Sequence, residues 1–136
     1  MDRVEELLFS DSYSQLVERM RFYRSLREFR RVVRAEHSDP ELTLQKAAAK
    51  CGVSPRHLNR RLIEATGFTY LEFLTRYRLR KAVQMMQRRD FSLTEISLET
   101  GFGSLSGFQR QFRTVLGRSP RQLRSEMKQR GSLPAD

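Results

Sequence analysis

The stretch Gly101-Phe102-Gly103-Ser104-Leu105-Ser106-Gly107-Phe108-Gln109-Arg110-Gln111-Phe112-Arg113-Thr114-Val115-Leu116-Gly117-Arg118-Ser119-Pro120 decides the fold. Gly101 and Gly117 each follow a periodic apolar stretch, where a left-handed residue ends a helix at little cost. Ser119-Pro120 pairs an N-capping hydroxyl with a proline at the first helical position. Between the glycines, Phe108 and Phe112 stand four apart and mark one face of a helix over 104–116. The same grammar occurs earlier in the chain. Leu44, Ala47, Gly52 and Val53 recur as Leu93, Ile96, Gly101 and Phe102, an offset of 49. Beyond the turn, Leu58, Arg60, Leu62 and Gly67 recur as Phe108, Arg110, Phe112 and Gly117, an offset of 50. One residue has entered the second turn, with Gly103 the natural candidate. Each unit reads as short helix, glycine turn, second helix, the helix-turn-helix pattern. A plain helical bundle is the alternative, and the register shared across both turns argues against it.

Working outward, the punctuation stays helical. Thr69-x-x-Glu72 and Ser92-x-x-Glu95 have capping-box form, and Ser54-Pro55 repeats the Ser-Pro start. No segment alternates apolar and polar residues over strand length, and no Asn-Gly or Asp-Gly hairpin turn appears. Helices are expected near 43–51, 55–66, 70–88, 93–100, 104–116 and 120–130. An earlier helix near 12–37 carries Leu16, Met20, Tyr23, Leu26, Phe29 and Val33, and Ser38-Asp39-Pro40 ends it. The fold class is therefore all-α, about seven helices, with two helix-turn-helix subdomains joined by a long linker helix. The division expected is an N-terminal helical extension at 1–25, a first subdomain at 26–68 and a linker helix at 69–90. A second subdomain at 91–130 and a tail at 131–136 complete it. In the linker, Leu71, Leu74, Leu79, Val83 and Met86 are expected to supply core contacts.

The 136 residues carry 26 Lys+Arg against 16 Asp+Glu, a formal net charge of +10. Residues 1–39 hold eight basic and eight acidic side chains, and 126–136 hold two of each. Residues 40–125 hold sixteen basic against six acidic, so the whole excess lies in the block containing both units. Arginine outnumbers lysine 22 to 4. Its planar fork suits bidentate contact with phosphates and guanine edges. Nucleic acid is the partner this favours over a merely solvated basic surface. The longest apolar runs are three residues, far short of the roughly 18 a membrane helix needs. The N-terminus is acidic and lacks a signal-peptide apolar region. One cysteine, Cys51, allows neither an internal disulfide nor a zinc cluster. A cytoplasmic, nucleoid-associated protein without membrane contact is expected.

In a helix-turn-helix unit the first helix braces and the second enters the major groove with its N-terminal residues on the bases. For 55–66 the buried face should be Leu58, Leu62 and Ala65. Arg56, Asn59, Arg60 and Ile63 then lie opposite, at i, i+3, i+4 and i+7. Asn reads adenine by paired hydrogen bonds and Arg reads guanine O6/N7, each worth about 1–3 kcal/mol of discrimination. The second reading helix should bury Phe108, Phe112 and Val115 and expose Ser106, Gln109, Arg110 and Arg113. Leu105 and Gly107 stand where polar readers are wanted, so this unit is expected to contribute more to phosphate contact than to base choice. Phosphate contacts are expected from Ser54, Arg61, Arg76, Arg113, Arg118 and Arg121.

Nothing in the sequence forms a catalytic set. Gly101-Phe102-Gly103 follows a helix and lacks the Gly-Lys-Ser/Thr ending of a phosphate loop. His37 and His57 are twenty residues apart without a carboxylate partner, Cys51 reads as core, and Met85-Met86 lies at core phase. No metal, cofactor or small-molecule effector is expected, and the chain is not expected to be an enzyme.

Two stretches carry a family resemblance: Glu95 to Pro120, with Phe108-x-Arg110-x-Phe112-x4-Gly117-x-Ser119-Pro120, and Gly52-Val53-Ser54-Pro55-Arg56-His57-Leu58. With the long helix between them they resemble the AraC/XylS family of transcription regulators over about residues 26–126. The resemblance implies a seven-helix domain on an asymmetric promoter site in double-stranded DNA, often activating through contact with RNA polymerase. By position it places base reading on Arg56, Asn59 and Arg60, then on Leu105, Ser106, Gln109 and Arg110. Leu105 departs from the polar residue usual at its place. The expected product is a monomeric stand-alone DNA-binding domain similar to the short MarA/SoxS-type members. The alternative is a non-catalytic accessory or antagonist module, the remnant of a longer regulator.

Overall fold

The computed structural model describes residues 2–88 and 90–129; the expected tail at 131–136 lies outside them. Among the described residues the chain is helical throughout, with nine helices rather than about seven. They are α1 (Asp2–Phe9), α2 (Tyr13–Met20), α3 (Arg24–Glu36), α4 (Leu44–Cys51), α5 (Pro55–Thr66), α6 (Tyr70–Met86), α7 (Leu93–Glu99), α8 (Leu105–Leu116) and α9 (Pro120–Gln129).

The extra helices come from the N-terminal third. The single helix expected over 12–37 breaks at 21–23, where Tyr23 takes extended backbone (φ −116°, ψ 124°) before α3. Packing is the reason. A straight helix of that length would span roughly 39 Å. Broken, it lays α2 against α5 and α3 against both α4 and α5. Leu16, Met20, Leu26, Phe29 and Val33 are all buried, so one apolar stripe is split between two packing directions. Ahead of it, α1 lies against α6 and α8. The Glu5 carboxylate accepts from Arg80 Nε at 2.8 Å and from the Tyr13 backbone N–H at 3.0 Å, which ties α1 to α6 and to the start of α2.

Caps set most of the boundaries. Ser12, Thr43, Ser54, Thr69, Ser92 and Ser104 each accept a hydrogen bond from the backbone N–H three residues on. The capping boxes at Thr69/Glu72 and Ser92/Glu95 are both formed. Gly52, Gly67 and Gly117 are left-handed C-caps. The second turn has the additional residue, with Gly103 at φ +77° and Gly101 at φ +88°.

The core runs along α6, where Tyr70, Phe73, Leu74, Tyr77, Leu79, Ala82, Val83 and Met86 are buried. Leu71 is not among them. It is 67% exposed, because the buried stripe of α6 passes through Tyr70, Phe73, Leu74 and Tyr77 and leaves position 71 on the far side. Likewise Leu116, not Val115, joins Phe108 and Phe112 in the buried face of α8.

Candidate nucleic-acid interface

The first helix pair places α5 as expected. Leu58, Leu62 and Ala65 are buried, Arg56 and Arg60 are exposed, and Ile63 is 44% exposed beside them. Pro55 fills the first helical position, and the Ser54 hydroxyl accepts from the His57 backbone N–H at 3.1 Å. Arg56 and Arg60 therefore stand on a helix whose start is fixed, pointing away from the core. Arg60 Nε lies 3.9 Å from Glu64 across one turn, an exposed pair that competes weakly with another anion.

Asn59 is placed differently from its neighbours. Its Oδ1 accepts from the Tyr70 backbone N–H at 2.8 Å, so the side chain reaches across to the first residue of α6. Reading adenine would need that oxygen for the base. The carboxamide here joins the reading helix to the long helix behind it.

Two of the expected phosphate ligands are also turned inward. Arg61 lies over the Tyr23 ring at 5.0 Å and pairs with Glu64 at 3.0 Å. Arg76 lies over the Phe68 ring at 4.8 Å, with Nη1 donating to the Glu72 carbonyl at 3.4 Å. Each arginine finds an aromatic face close by in the fold and packs its plane on it.

The second pair places Ser106, Gln109, Arg110 and Arg113 on the exposed face of α8, and Arg121 is exposed on α9. Arg118 is paired with Glu126 at 3.2 Å. Leu105 packs partly against the core. Ser104 caps α8 through the Gly107 backbone N–H at 3.1 Å, the counterpart of Ser54. The 50-residue offset from Ser54 points to Ser104, which the sequence reading passed over.

Arg78 was missed as a structural residue because it counted only as part of the basic block. It is 8% exposed, with Nε donating to the His37 carbonyl at 2.9 Å and Nη2 to the Asp39 carbonyl at 2.7 Å. Burial lowers its pKa from the usual arginine range. From α6 it holds the α3–α4 connection against the second turn. A Cβ on Gly101 would run into the His37 carbonyl oxygen and the Arg78 guanidinium. Arg124 adds a smaller tie, Nη2 donating to the Phe91 carbonyl at 3.1 Å. Cys51 is half-buried, and burial pushes its thiol up to about 11. It is an inert thiol at neutral pH.

A helix-turn-helix domain family model matches residues 47–126, which span both helix pairs and the helix between them. The chain belongs to the AraC-type helix-turn-helix family. Over 89 residues it is 36% identical to the HTH-type transcriptional activator RhaS of Klebsiella pneumoniae (strain 342), covering 65% of this chain and 32% of that protein. The chain thus spans about a third of the length of the curated relatives it matches. Two solved structures similar to this chain have TM-scores of 0.72. One is the C-terminal domain of AraT, a response regulator from Geobacillus stearothermophilus, 27% identical over 76% of this chain and 86% of that one. The other is the DNA-binding domain of the global transcriptional factor AdpA in complex with a target DNA, 26% identical over 79% and 96%. Among the described residues no helix is long and apolar enough to cross a membrane.

Proposed function

We propose that this chain is a sequence-specific double-stranded DNA-binding transcription regulator that sets α5 and α8 into successive major-groove segments of a promoter site. The observation that carries the reading is the family match over 47–126, whose two second helices each present an exposed arginine face. The AdpA domain, solved on a target DNA, supplies the precedent for the partner. In this reading 26–68 and 91–130 are the two subdomains, 69–90 is the linker, and 1–25 is the extension that braces them. The 17 residues of α6 cover roughly 26 Å, near the 34 Å repeat that separates successive major-groove faces.

Arg56 and Arg60 carry most base discrimination, and Asn59 sets the position of their helix relative to α6. Ser106, Gln109 and Arg110 read more weakly, with the exposed part of Leu105 available to a thymine methyl. Ser54, Arg113 and Arg121 hold phosphates directly, and Arg118 does so on releasing Glu126. Arg61 and Arg76 act through the rings they cover. The chain binds as a monomer, because Leu16 and Met20 are already consumed by its own core. Promoter activation proceeds through contact with RNA polymerase, as the family resemblance implies.

Selection of bound duplexes from a random pool tests the proposal. One recurring asymmetric motif is expected, bound about 10³-fold or more above random DNA. A log–log salt slope near −5 to −7 is expected from roughly six to eight neutralised phosphates. Binding without enrichment would reduce the chain to a non-specific basic module.

A further inference from the structure

The charge balance of the N-terminal third hides a strong polarity. Residues 1–18 hold five acidic side chains and one basic, whereas residues 19–34 hold seven arginines and one acid, Glu28. The arginine-rich part begins at the α2–α3 turn, beside α5. There Phe22 is 84% exposed, the most exposed large apolar side chain among the described residues. Arg21, Arg24, Arg27 and Arg31 are exposed around and beyond it, the last three along one face of α3.

Few of these charges are held tightly. Arg21 pairs with Glu18 at 3.0 Å and Arg31 with Glu28 at 3.4 Å, both at exposed i,i+3 spacing where such pairs are worth little. Arg27 Nη1 donates to the Arg21 carbonyl at 2.6 Å, which folds its guanidinium over the turn. Arg24 has no carboxylate within ion-pair distance among the described residues. The turn also continues the reading unit. Phe22, Tyr23 and Arg24 share a shallow depression of about 360 Å³ with Gly52, His57 and Arg61, the turn and flank of the first helix pair. Tyr23 caps α3 without a side-chain hydrogen bond, whereas seven other helices have hydroxyl caps.

From this we infer that the Arg21–Phe22–Tyr23–Arg24 turn is a third DNA-contacting surface, which grips the backbone flanking the segment occupied by α5. The inference rests on the function proposed above and extends its footprint. Arg24 and Arg21 engage phosphates, and the Phe22 ring lies on the sugar edge between them. Continuity with α5 and the local charge select flanking DNA over a protein partner. An exposed aromatic set among arginines is suited to a polyanion with apolar sugar faces.

The test uses the whole chain and the duplex selected from the random pool, trimmed base pair by base pair from each end in turn. Wild type should lose about tenfold in affinity when flank is removed at one end. The Arg21→Ala/Phe22→Ala/Arg24→Ala variant should bind the full-length duplex at that trimmed level and lose nothing more on trimming. Its salt slope should be shallower by about 2, at roughly 0.9 per phosphate contact. Arg24→Glu alone, a surface change that leaves the apolar core untouched, should give the same insensitivity to trimming. If the variants lose affinity by one factor at every duplex length, or lose none, the inference is overturned. It is overturned too if wild type self-associates through Phe22, seen as a concentration-dependent mass abolished by Phe22→Ala. If wild type binds no duplex, the proposed function itself falls, a result distinguishable from wild type binding with variants that trim as it does.

Discussion

The two helix pairs use the same sequence signal for different physical ends. Gly52 and Gly101 both sit in left-handed backbone between a brace helix and its partner. Around Gly52 an added Cβ would meet nothing within 4 Å, so only the positive φ asks for glycine. Around Gly101 the space itself is taken by the His37 carbonyl and by Arg78. The first turn is open to solvent, whereas the second is keyed into the α3–α4 connection through an arginine from α6. A repeat in sequence is therefore not a repeat in stability. The turn of the second pair is held by an arginine from α6, while the first pair meets α6 through a polar side chain of its own reading helix.

The largest effect that sharpens this contrast is at the two turn glycines. Gly52→Ala should cost about 1–2 kcal/mol, the price of one non-glycine residue in left-handed backbone. Gly101→Ala adds a collision with buried groups and should cost about 3–5 kcal/mol. Urea denaturation of both variants measures the difference, and equal losses would break the comparison. The next effect concerns reading. Arg56→Ala or Arg60→Ala should remove about 1–3 kcal/mol of discrimination at one base position. Gln109→Ala in the second pair should remove less. Binding to single-base variants of the selected site decides this, and a larger loss at Gln109 would reverse the ranking of the two pairs.

A smaller effect separates Asn59 from its neighbours. Asn59→Ala deletes the acceptor for the Tyr70 N–H and should lower stability by about 1 kcal/mol. Asn59→Asp, which keeps an acceptor oxygen, should retain most of it. DNA affinity of the alanine variant should fall by a similar factor on every sequence, with the base preferences unchanged. A change of preference at one base pair instead would make Asn59 a reader.

Much of this was legible because it was local. The caps at Ser54, Thr69 and Ser92, the glycine stops, and the buried faces led by Leu58 and Phe108 all follow from spacing within one turn of helix. What escaped the sequence depends on partners far along the chain. The break at 21–23 is set by α2 and α3 packing in different directions, which a periodic stripe does not encode. Leu71 was counted with the core because its spacing from Leu74 fits, although the dominant stripe of α6 belongs to its aromatic residues. Arg61, Arg76 and Arg78 looked alike as cations. Tyr23, Phe68 and the carbonyls of His37 and Asp39 give them their roles, and of these only Phe68 is close in sequence, the two carbonyls lying 41 and 39 residues from Arg78. Net charge by block hid the polarity of residues 1–34 for a simpler reason: opposite ends cancelled.

The smallest effect is one of pH, and it bears on the anchored pair. His37 ends α3 beside Arg78, with Nδ1 3.2 Å from the Val33 carbonyl and its ring edge-on to Tyr77 at 5.4 Å. Burial lowers its pKa from the ordinary 6.5, and the nearby Lys81 and Arg78 cations act in the same direction. The unfolded chain therefore takes up this proton at higher pH than the folded one. The stability that His37 contributes is complete above about 6.5 and is lost as pH falls through that value toward the lower folded pKa. Melting followed from about pH 7.5 to 5.5 should show a decline that is shallower in His37→Gln. Because the His37 carbonyl is what Gly101 abuts and Arg78 holds, the loosening should be local. Amide exchange at the turn between α7 and α8 should quicken on acidification more than exchange at the turn between α4 and α5. Equal quickening at the two turns would mean that the second pair is not anchored through His37 at all.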